Sequence, residues 1–283
     1  MQITKLERSN GFLVVDFADA RAVGVTRLAP KVLQDGAELL ARSITYTFAA
    51  FGLQLSGGSA GINAKPESRD NAVSGYLDDV AALVADGSWQ TWAGTGMTDE
   101  DLSASRGDAA RLDDPELMAR GAVAAARAAL PDASTAAIVA AGPVGAAANQ
   151  AATAAGFAID GDAIDAEVDV LLVGGKAGIV DHDSAATIRA KAIVALSPVP
   201  VTAKAYATLS RAGSVYVPDF LTLAAPLLAA LDPDNGDPVE RVVERVGKAV
   251  AHGVDAWRAA VDDAEAFLSS WRDELPFGRP LAS

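Results

Sequence analysis

The chain has 283 residues, of which 51% are apolar, 21% charged and 6% aromatic, and its formal net charge is −14 at pH 7. This composition excludes a disordered chain, because so much apolar surface can offset the entropy lost on ordering. The absence of cysteine excludes disulfides, thiolate catalysis and metal–thiolate sites. The net negative charge provides no basic surface for binding nucleic acid and no attraction to anionic membranes.

Neither a membrane span nor a metal site is indicated. No apolar run reaches the ~20 residues of a transmembrane helix, and the first ten residues lack the apolar segment of a signal peptide. The only histidines are His182 and His252, so no histidine-rich metal site is expected. We expect a cytoplasmic protein whose partner is a small molecule.

The first hundred residues predict a mixture of strands and helices. Residues 11–16 form a β-branched apolar run typical of a strand. Residues 36–51 and 68–86 place apolar side chains at helical spacing. Between them, the glycine-rich segment 56–61 predicts a turn, and residues 92–98 predict a loop.

From about residue 103, short apolar strands alternate with alanine-rich helices. This alternation favours a parallel sheet with helices on both faces. A helical tail is predicted from 237 to 275, with interruptions at Gly247 and Gly253. The predicted strands are 136–140, 157–159, 168–173, 192–196 and 214–217, and the predicted helices are 115–130, 145–155, 184–191 and 203–212.

Residues 138–145 (IVAAGPVG) lie between a predicted strand and a predicted helix. They match the dinucleotide-binding fingerprint with alanine in place of its first glycine. Gly142 would let the backbone approach a pyrophosphate, and Gly145 would let the helix pack closely on the strand. The amides at the helix start, including that of Val144, would bind phosphate, although Pro143 has no amide hydrogen to donate. The alternative is a glycine turn with no ligand.

Asp160 follows the next predicted strand, close to the ~20-residue spacing at which an acidic side chain holds the ribose hydroxyls. Together with Asp162 and Asp165 it could instead form an oxygen-ligand cation site. The mid-loop glycine and closing glutamate of a calcium loop are missing, however. A solvated acidic loop is the simpler interpretation of that cluster.

Several segments spread over roughly residues 20–225 carry a further pattern. They are GVTR at 24–27, ITY at 44–46 followed by two glycines at 57–58, DVLLV at 169–173, IRAKAIV at 188–194 and AGSVYVPDF at 212–220. In this order and spacing they resemble motifs of the glutamate/leucine/phenylalanine/valine dehydrogenase family.

This resemblance implies an α/β protein of two domains with a ligand cleft between them. Residues 1–108, joined by helices from 237–283, would form a substrate and oligomerisation domain. Residues 109–236 would form a reduced Rossmann-type domain that binds NAD or NADP. The resemblance also implies reversible oxidative deamination of an amino acid and a homo-oligomeric assembly, with a partner protein as a further possibility.

The catalytic positions of the family are not matched. Its substrate-binding lysine aligns with Thr47, its catalytic lysine with Ser59 and its catalytic aspartate with Gly94. A positioned acid or base contributes roughly 10²–10⁴-fold to the rate. Ordinary oxidative deamination is therefore not expected. The stretch 160–168 is also shorter than in the family, which predicts the loss of a helix and a strand beside the adenine pocket.

Three basic residues are candidates to replace the missing groups. Lys65 follows the glycine-rich segment, Lys176 follows a predicted parallel strand, and Arg27 lies in a motif that borders the substrate pocket of the family. The simpler interpretation is that the two lysines are solvated surface residues and that Arg27 is structural. Trp89 and Trp92 flank the loop of the missing aspartate and would either fill a vacated pocket or close the core.

Three functions follow from these observations. The first is a divergent dehydrogenase homologue that binds NAD or NADP, supported by Gly142, Gly145 and Asp160. The second is a catalytically inactive relative that acts as a regulatory or partner subunit. The third is a different enzyme on the same scaffold.

Overall fold

The computed structural model describes residues 1–103, 111–275 and 280–283. The chain divides into two compact units, and each is an α/β structure with its own sheet. The first unit comprises Met1–Leu112 and Leu268–Pro280, and the second comprises Asp113–Phe267 and Leu281–Ser283.

The sheet of the first unit has the order β1-β2-β4-β3-β5. β3 runs parallel to both β4 and β5, whereas β1 and β2 are antiparallel additions. Helices α1 and α2 pack on opposite faces of this sheet: a Cβ at Gly57 would point into α1, whereas Thr26 contacts Tyr76 of α2. The bounds are β1 Gln2–Leu6, β2 Gly11–Val15, β3 Ala22–Ala29, α1 Gln34–Ala50, β4 Ser56–Asn63, α2 Arg69–Ala85 and β5 Trp89–Ala93.

The segment predicted as a glycine-rich turn is the central strand β4, so that prediction is wrong. Its glycines are needed because the neighbouring backbones come very close. A Cβ atom at Gly24 would overlap the carbonyl oxygen of Gly58, and one at Gly57 would overlap the carbonyl oxygen of Ala41 in α1. The predicted loop 92–98 likewise begins inside a strand, β5.

Trp89 closes the core of the first unit on the α2 side of the sheet. Its side chain is only 2% exposed, and its indole Nε1 donates to the hydroxyl of Tyr76 at 3.0 Å. The hydroxyls of Tyr76 and Thr26 are 2.7 Å apart, which ties α2 to β3. Of the two alternatives for Trp89, the structure therefore shows that it closes the core. Trp92 is only partly buried.

The sheet of the second unit is entirely parallel, with the order β10-β9-β8-β6-β7. This confirms the predicted α/β class with a parallel sheet. The bounds are α3 Pro115–Ala129, β6 Thr135–Val139, α4 Gly142–Ala154, β7 Ala158–Ile159, β8 Val170–Val173, α5 His182–Thr187, β9 Ala192–Ala195, α6 Ala203–Arg211, β10 Val215–Val217, α7 Asp219–Thr222, α8 Ala225–Leu231, α9 Pro238–Val250 and α10 Ala256–Leu268.

The strand order places a topological switch point between β6 and β8. From β6 the chain moves outward to β7, then returns and builds β8, β9 and β10 on the other side. Ligands of open parallel sheets bind outside the carboxyl ends of the strands at such a point. Residues 160–169, which connect β7 to β8, contain neither helix nor strand, in agreement with the shortening expected there.

The helical tail differs from the expectation in two ways. Gly247 does not interrupt α9, because it has an ordinary helical backbone and nothing lies within 4 Å of where its Cβ would be. The break comes at 251–255, where Gly253 has φ +60°. In addition, α9 and α10 group with the second unit rather than the first, because α9 packs against α3. None of the helices in the described ranges is long and apolar enough to cross a membrane.

Candidate functional site

The turn between β6 and α4 leaves the start of the helix open. Gly142 adopts φ +69°, and no atom lies within 4 Å of where its Cβ would be. The cap residue Ala141 is extended and has no side-chain oxygen to satisfy the first amides of α4. The first amides of this 13-residue helix are therefore not capped by a side chain, at the end where the helix dipole is positive.

Gly145 allows α4 to approach the end of β6 closely. It is buried on the strand-facing side of α4, where a Cβ would overlap the carbonyl oxygen of Ala140. Only glycine allows the helix to lie so close to the end of β6. Pro143 and Val144 occupy the first turn between the two glycines, and Pro143 contributes no amide hydrogen.

Asp160 lies at the same edge of the sheet as this turn. It directly follows β7, its side chain is exposed, and its amide donates to the carbonyl of Ala136 at 2.9 Å. Because β6 and β7 are adjacent parallel strands, their carboxyl ends meet at one edge. Asp160 and Gly142 are therefore placed on neighbouring strand ends, as a ribose and a pyrophosphate require.

The loop after β8 forms the other side of the switch point. Its Gly174 amide donates to the Val139 carbonyl at 2.8 Å, and its Gly175 amide donates to the Ser197 hydroxyl at 2.9 Å. Lys176 follows these two anchored residues and is exposed. It makes no ion pair with any residue that the structure describes.

Ser197 and Asp219 are site-edge residues that the motifs do not single out for a role. Ser197 holds the loop after β8, and the Asp219 carboxylate accepts from the amide of Val199 at 2.9 Å. Val199 has φ +50°, a strained conformation that this contact helps to fix. Ser197 and Asp219 both follow the carboxyl ends of parallel strands. This position is the sequence signal that could have identified them.

In the first unit, Thr47 and Ser59 are buried hydroxyl residues. Thr47 lies in α1 and donates back to the Ser43 carbonyl at 3.2 Å. Ser59 lies in the middle of β4 and is fully buried, and its Oγ has no hydrogen-bond partner among the residues that the structure describes. Neither residue supplies a positive charge, so the amine chemistry of the resembled family has no counterpart at these positions.

Gly94 and Arg27 are brought together at the carboxyl ends of β5 and β3. A Cβ at Gly94 would lie 2.9 Å from Cγ of Arg27 and 2.6 Å from Cγ2 of Val25. The aliphatic part of Arg27 therefore fills the space where a side chain at position 94 would begin. Burial lowers the pKa of Arg27, and its buried Nε and Nη2 atoms have no hydrogen-bond partner in the described part of the chain.

Lys65 is exposed and precedes the short 3-10 helix Pro66–Ser68. It has no ion-pair partner among the described residues. Three or more potential metal ligands of the histidine, aspartate and glutamate types do not cluster anywhere in the described part of the chain.

Solved structures of amino-acid dehydrogenases share this fold. The hetero-hexameric glutamate dehydrogenase from Thermus thermophilus in a leucine-bound form superposes with a TM-score of 0.76 at 19% identity, covering 94% of this chain and 86% of that one. L-tryptophan dehydrogenase from Nostoc punctiforme gives a TM-score of 0.68 at 18% identity, covering 95% of each chain. Glutamate dehydrogenase from Peptoniphilus asaccharolyticus gives 0.69 at 15% identity, covering 92% of this chain and 86% of that one.

Neither a protein-family model nor a curated protein sequence matches the chain. The structural comparisons define its class first: an α/β protein with a Rossmann-type parallel sheet. They then define the particular fold, which is that of the amino-acid dehydrogenases, and at this level the predicted resemblance is confirmed.

Proposed function

We propose that this protein is a divergent member of the amino-acid dehydrogenase family that binds a nicotinamide dinucleotide at the switch point of its second unit. The uncapped start of α4 at Gly142, a positive-φ glycine with no atom within 4 Å of its missing Cβ, carries the proposal. The Gly142–Gly145 turn would hold the pyrophosphate and Asp160 the ribose hydroxyls. When bound, the nicotinamide would supply hydride transfer.

We also propose that the protein does not catalyse oxidative deamination by the mechanism of the family. Thr47 and Ser59 provide no amine, and Gly94 provides no carboxylate. The space beside Gly94 is already filled by Arg27. This last contact favours the second candidate function, a catalytically inactive relative with a regulatory or partner role, over a conventional deaminating enzyme.

Titration calorimetry with NAD⁺, NADH, NADP⁺ and NADPH tests the cofactor proposal, with Gly142→Ala and Gly156→Ala as a matched pair of variants. Both glycines have positive φ and open space around the missing Cβ, so both substitutions strain the backbone similarly. Gly142 is the first residue of α4, whereas Gly156 follows the end of that helix. We expect saturable binding that Gly142→Ala weakens at least tenfold and Gly156→Ala leaves unchanged.

Absence of binding by all four dinucleotides, or equal weakening by both variants, would contradict the cofactor proposal. Binding of NADH together with turnover of any amino acid would contradict the second proposal. Binding without turnover is the combination that we expect.

We further propose a cytoplasmic homo-oligomer. The dehydrogenase from Thermus thermophilus is described as a hetero-hexamer. In the first unit of this chain, Ile3 on the edge strand β1 is 44% exposed and Leu33 before α1 is 61% exposed, and subunit contacts would bury these side chains. Light scattering on the purified protein gives the molecular mass directly, and a monomer at all concentrations would contradict this proposal.

A further inference from the structure

The loops that follow the strands of the second sheet carry a single basic residue, Lys176. These loops are 140–141, 160–169, 174–181, 196–202 and Pro218, and the structure describes all of them. A second lysine at this edge, Lys204, lies in α6, one strand farther from the switch point. The other charged side chains of the loops are carboxylates, those of Asp160, Asp162, Asp165, Glu167, Asp169 and Asp181.

The two loops at the switch point leave the sheet on opposite faces. α4 connects β6 to β7, whereas α5 connects β8 to β9 in the opposite direction across the sheet. Parallel crossovers are right-handed, so opposite directions place the two helices on opposite faces. In agreement, α4 packs against α3 and α5 packs against α6. A crevice therefore separates the Gly142 turn from the loop of Lys176, at the position where open parallel sheets bind ligands.

Strand register places Lys176 across this crevice from Gly142. Val139 and Val173 form the last pair of the parallel β6–β8 ladder, and the Gly174 amide extends it by donating to the Val139 carbonyl at 2.8 Å. Gly142 and Lys176 each lie three residues beyond that pair. Adjacent strands are about 4.8 Å apart, so the two residues start from neighbouring strand ends. The flexible four-carbon stem of the lysine allows its ammonium group to extend over the crevice.

The Gly142 turn by itself provides little positive charge for an anion. Ala141 has no polar side chain, and Pro143 contributes no amide hydrogen. The carboxylates after β7 add negative potential on that side of the crevice. A pyrophosphate is strongly anionic, and its binding there would be favoured by a cation on the opposite wall. Lys176 is exposed and makes no ion pair with any described residue, so its ammonium group is not neutralised by a carboxylate of the protein.

We propose that the ammonium group of Lys176 binds the pyrophosphate of the dinucleotide, opposite the amides of the Gly142 turn. This inference rests on the proposed cofactor site and deepens it, because it adds a charged contact from a loop outside the glycine fingerprint. It gives Lys176 a binding role, in place of a solvated lysine or a substitute for the missing catalytic amine. No chemical step is assigned to the residue.

Calorimetric titration of the full-length protein with NAD⁺, NADH and ADP-ribose tests this role in wild type and Lys176→Met. ADP-ribose contains the pyrophosphate but lacks the nicotinamide. A charge-assisted contact from an exposed lysine contributes roughly three- to tenfold to affinity. We expect Lys176→Met to weaken all three ligands by one common factor of this size at low salt. The loss should shrink at high sodium chloride concentration, because salt screens exposed charges.

Two further variants separate a direct contact from a general electrostatic effect. Lys176→Arg keeps the charge and should retain most of the affinity. Lys204→Met is the matched control, because Lys204 is also exposed at this edge of the sheet and makes no ion pair among the described residues, but lies beyond β9. It should change the affinities much less than Lys176→Met does.

The outcomes distinguish a failure of this inference from a failure of the cofactor site. If wild type binds none of the three ligands, the proposed cofactor site is wrong and this inference falls with it. If wild type binds but Lys176→Met binds equally well, or Lys204→Met causes the same loss, only the role of Lys176 is overturned. A variant that loses affinity for NADH but gains it for NAD⁺ would also overturn this role, because it would place the ammonium group beside the nicotinamide ring.

Discussion

At the scale of single residues, the carboxylate of Asp169 connects several elements of the second unit. It pairs with Lys191 at 2.8 Å and accepts from the amides of Ser134 and Thr135 at 2.8 and 3.2 Å. The bond from Lys191, followed by those two amides, holds the pKa of Asp169 far below its usual range. The ionised carboxylate thus joins the starts of β6, β8 and β9, and protonation would weaken these contacts.

This arrangement predicts a specific acid sensitivity. Because the folded-state pKa of Asp169 lies below its unfolded value of about 3.9, its contribution is complete above that value and is lost as the pH falls toward the folded-state pKa. Asp169→Asn should lower the free energy of unfolding at neutral pH by about 1.5–3 kcal/mol. It should also flatten the pH dependence below about pH 4.

Urea unfolding between acidic and neutral pH measures both effects. Asp162→Asn is the control, because the exposed Asp162 side chain has no hydrogen-bond partner among the described residues. Equal pH profiles for wild type and Asp169→Asn would contradict the prediction.

At the scale of elements, β3, β4 and α1 form a layer in which backbone approaches backbone. A Cβ at Gly24 would overlap a carbonyl of β4, and backbone atoms have little freedom to move aside. Gly24→Ala should therefore destabilise the protein by at least about 3 kcal/mol, at the upper end of overpacking effects. Thermal unfolding, followed by circular dichroism, measures this loss.

Gly36→Ala is the matched control in the same unit. Gly36 lies in the first turn of α1 with nothing within 4 Å of its missing Cβ. Alanine has the higher helix propensity, by up to about 1 kcal/mol. We expect unchanged or higher stability for Gly36→Ala, and similar losses for the two variants would disprove the close-packing argument.

The same layer explains which elements could be predicted from the sequence. The strands of the second unit are short apolar runs, separated by helices except between β7 and β8, and their pattern identified all five. β4 could not be recognised as a strand from its sequence. Its glycines and serines have low strand propensity, and they are needed because neighbouring backbones approach closely in the folded protein. Gly247 led to the opposite error, because a break was predicted where the helix continues. α9 is stabilised by the packing of Val242 and Val246 rather than by helix propensity.

The parts of the candidate site that depend on backbone geometry could be predicted from the sequence. The parts that depend on side-chain packing could not. The positions of Gly142, Gly145 and Asp160 follow from spacing along a strand–turn–helix unit. The unsatisfied edge of Arg27 depends on neighbours from β4 and β5, far away in sequence, and no local pattern encodes it. Whether a buried arginine has a partner is decided only in the folded chain.

At the scale of the whole molecule, the acidic charge should influence the choice of cofactor. The net charge is −14, and the exposed Asp160, Asp162 and Asp165 follow β7, where the ribose would lie. The additional phosphate of NADPH would meet this negative potential. We expect NADH to bind more tightly than NADPH, with a difference that narrows as salt screens the repulsion.

Calorimetric titrations at low and high sodium chloride concentration check this expectation, and Asp160→Asn should reduce the preference for NADH. Tighter binding of NADPH at low salt would disprove it.

The chain could accept an inserted segment beside the two-residue edge strand β7, in the connection 160–169, which contains neither helix nor strand. The connection is exposed at Gly161 and Asp162, and insertions are best tolerated in exposed loops of this kind. A helix-and-strand unit spliced in there would find an unpaired strand edge to join and would lie beside Asp160. We therefore expect this connection to accept a grafted nucleotide-binding segment. One such insertion would widen the sheet and also enlarge the surface available to an adenine.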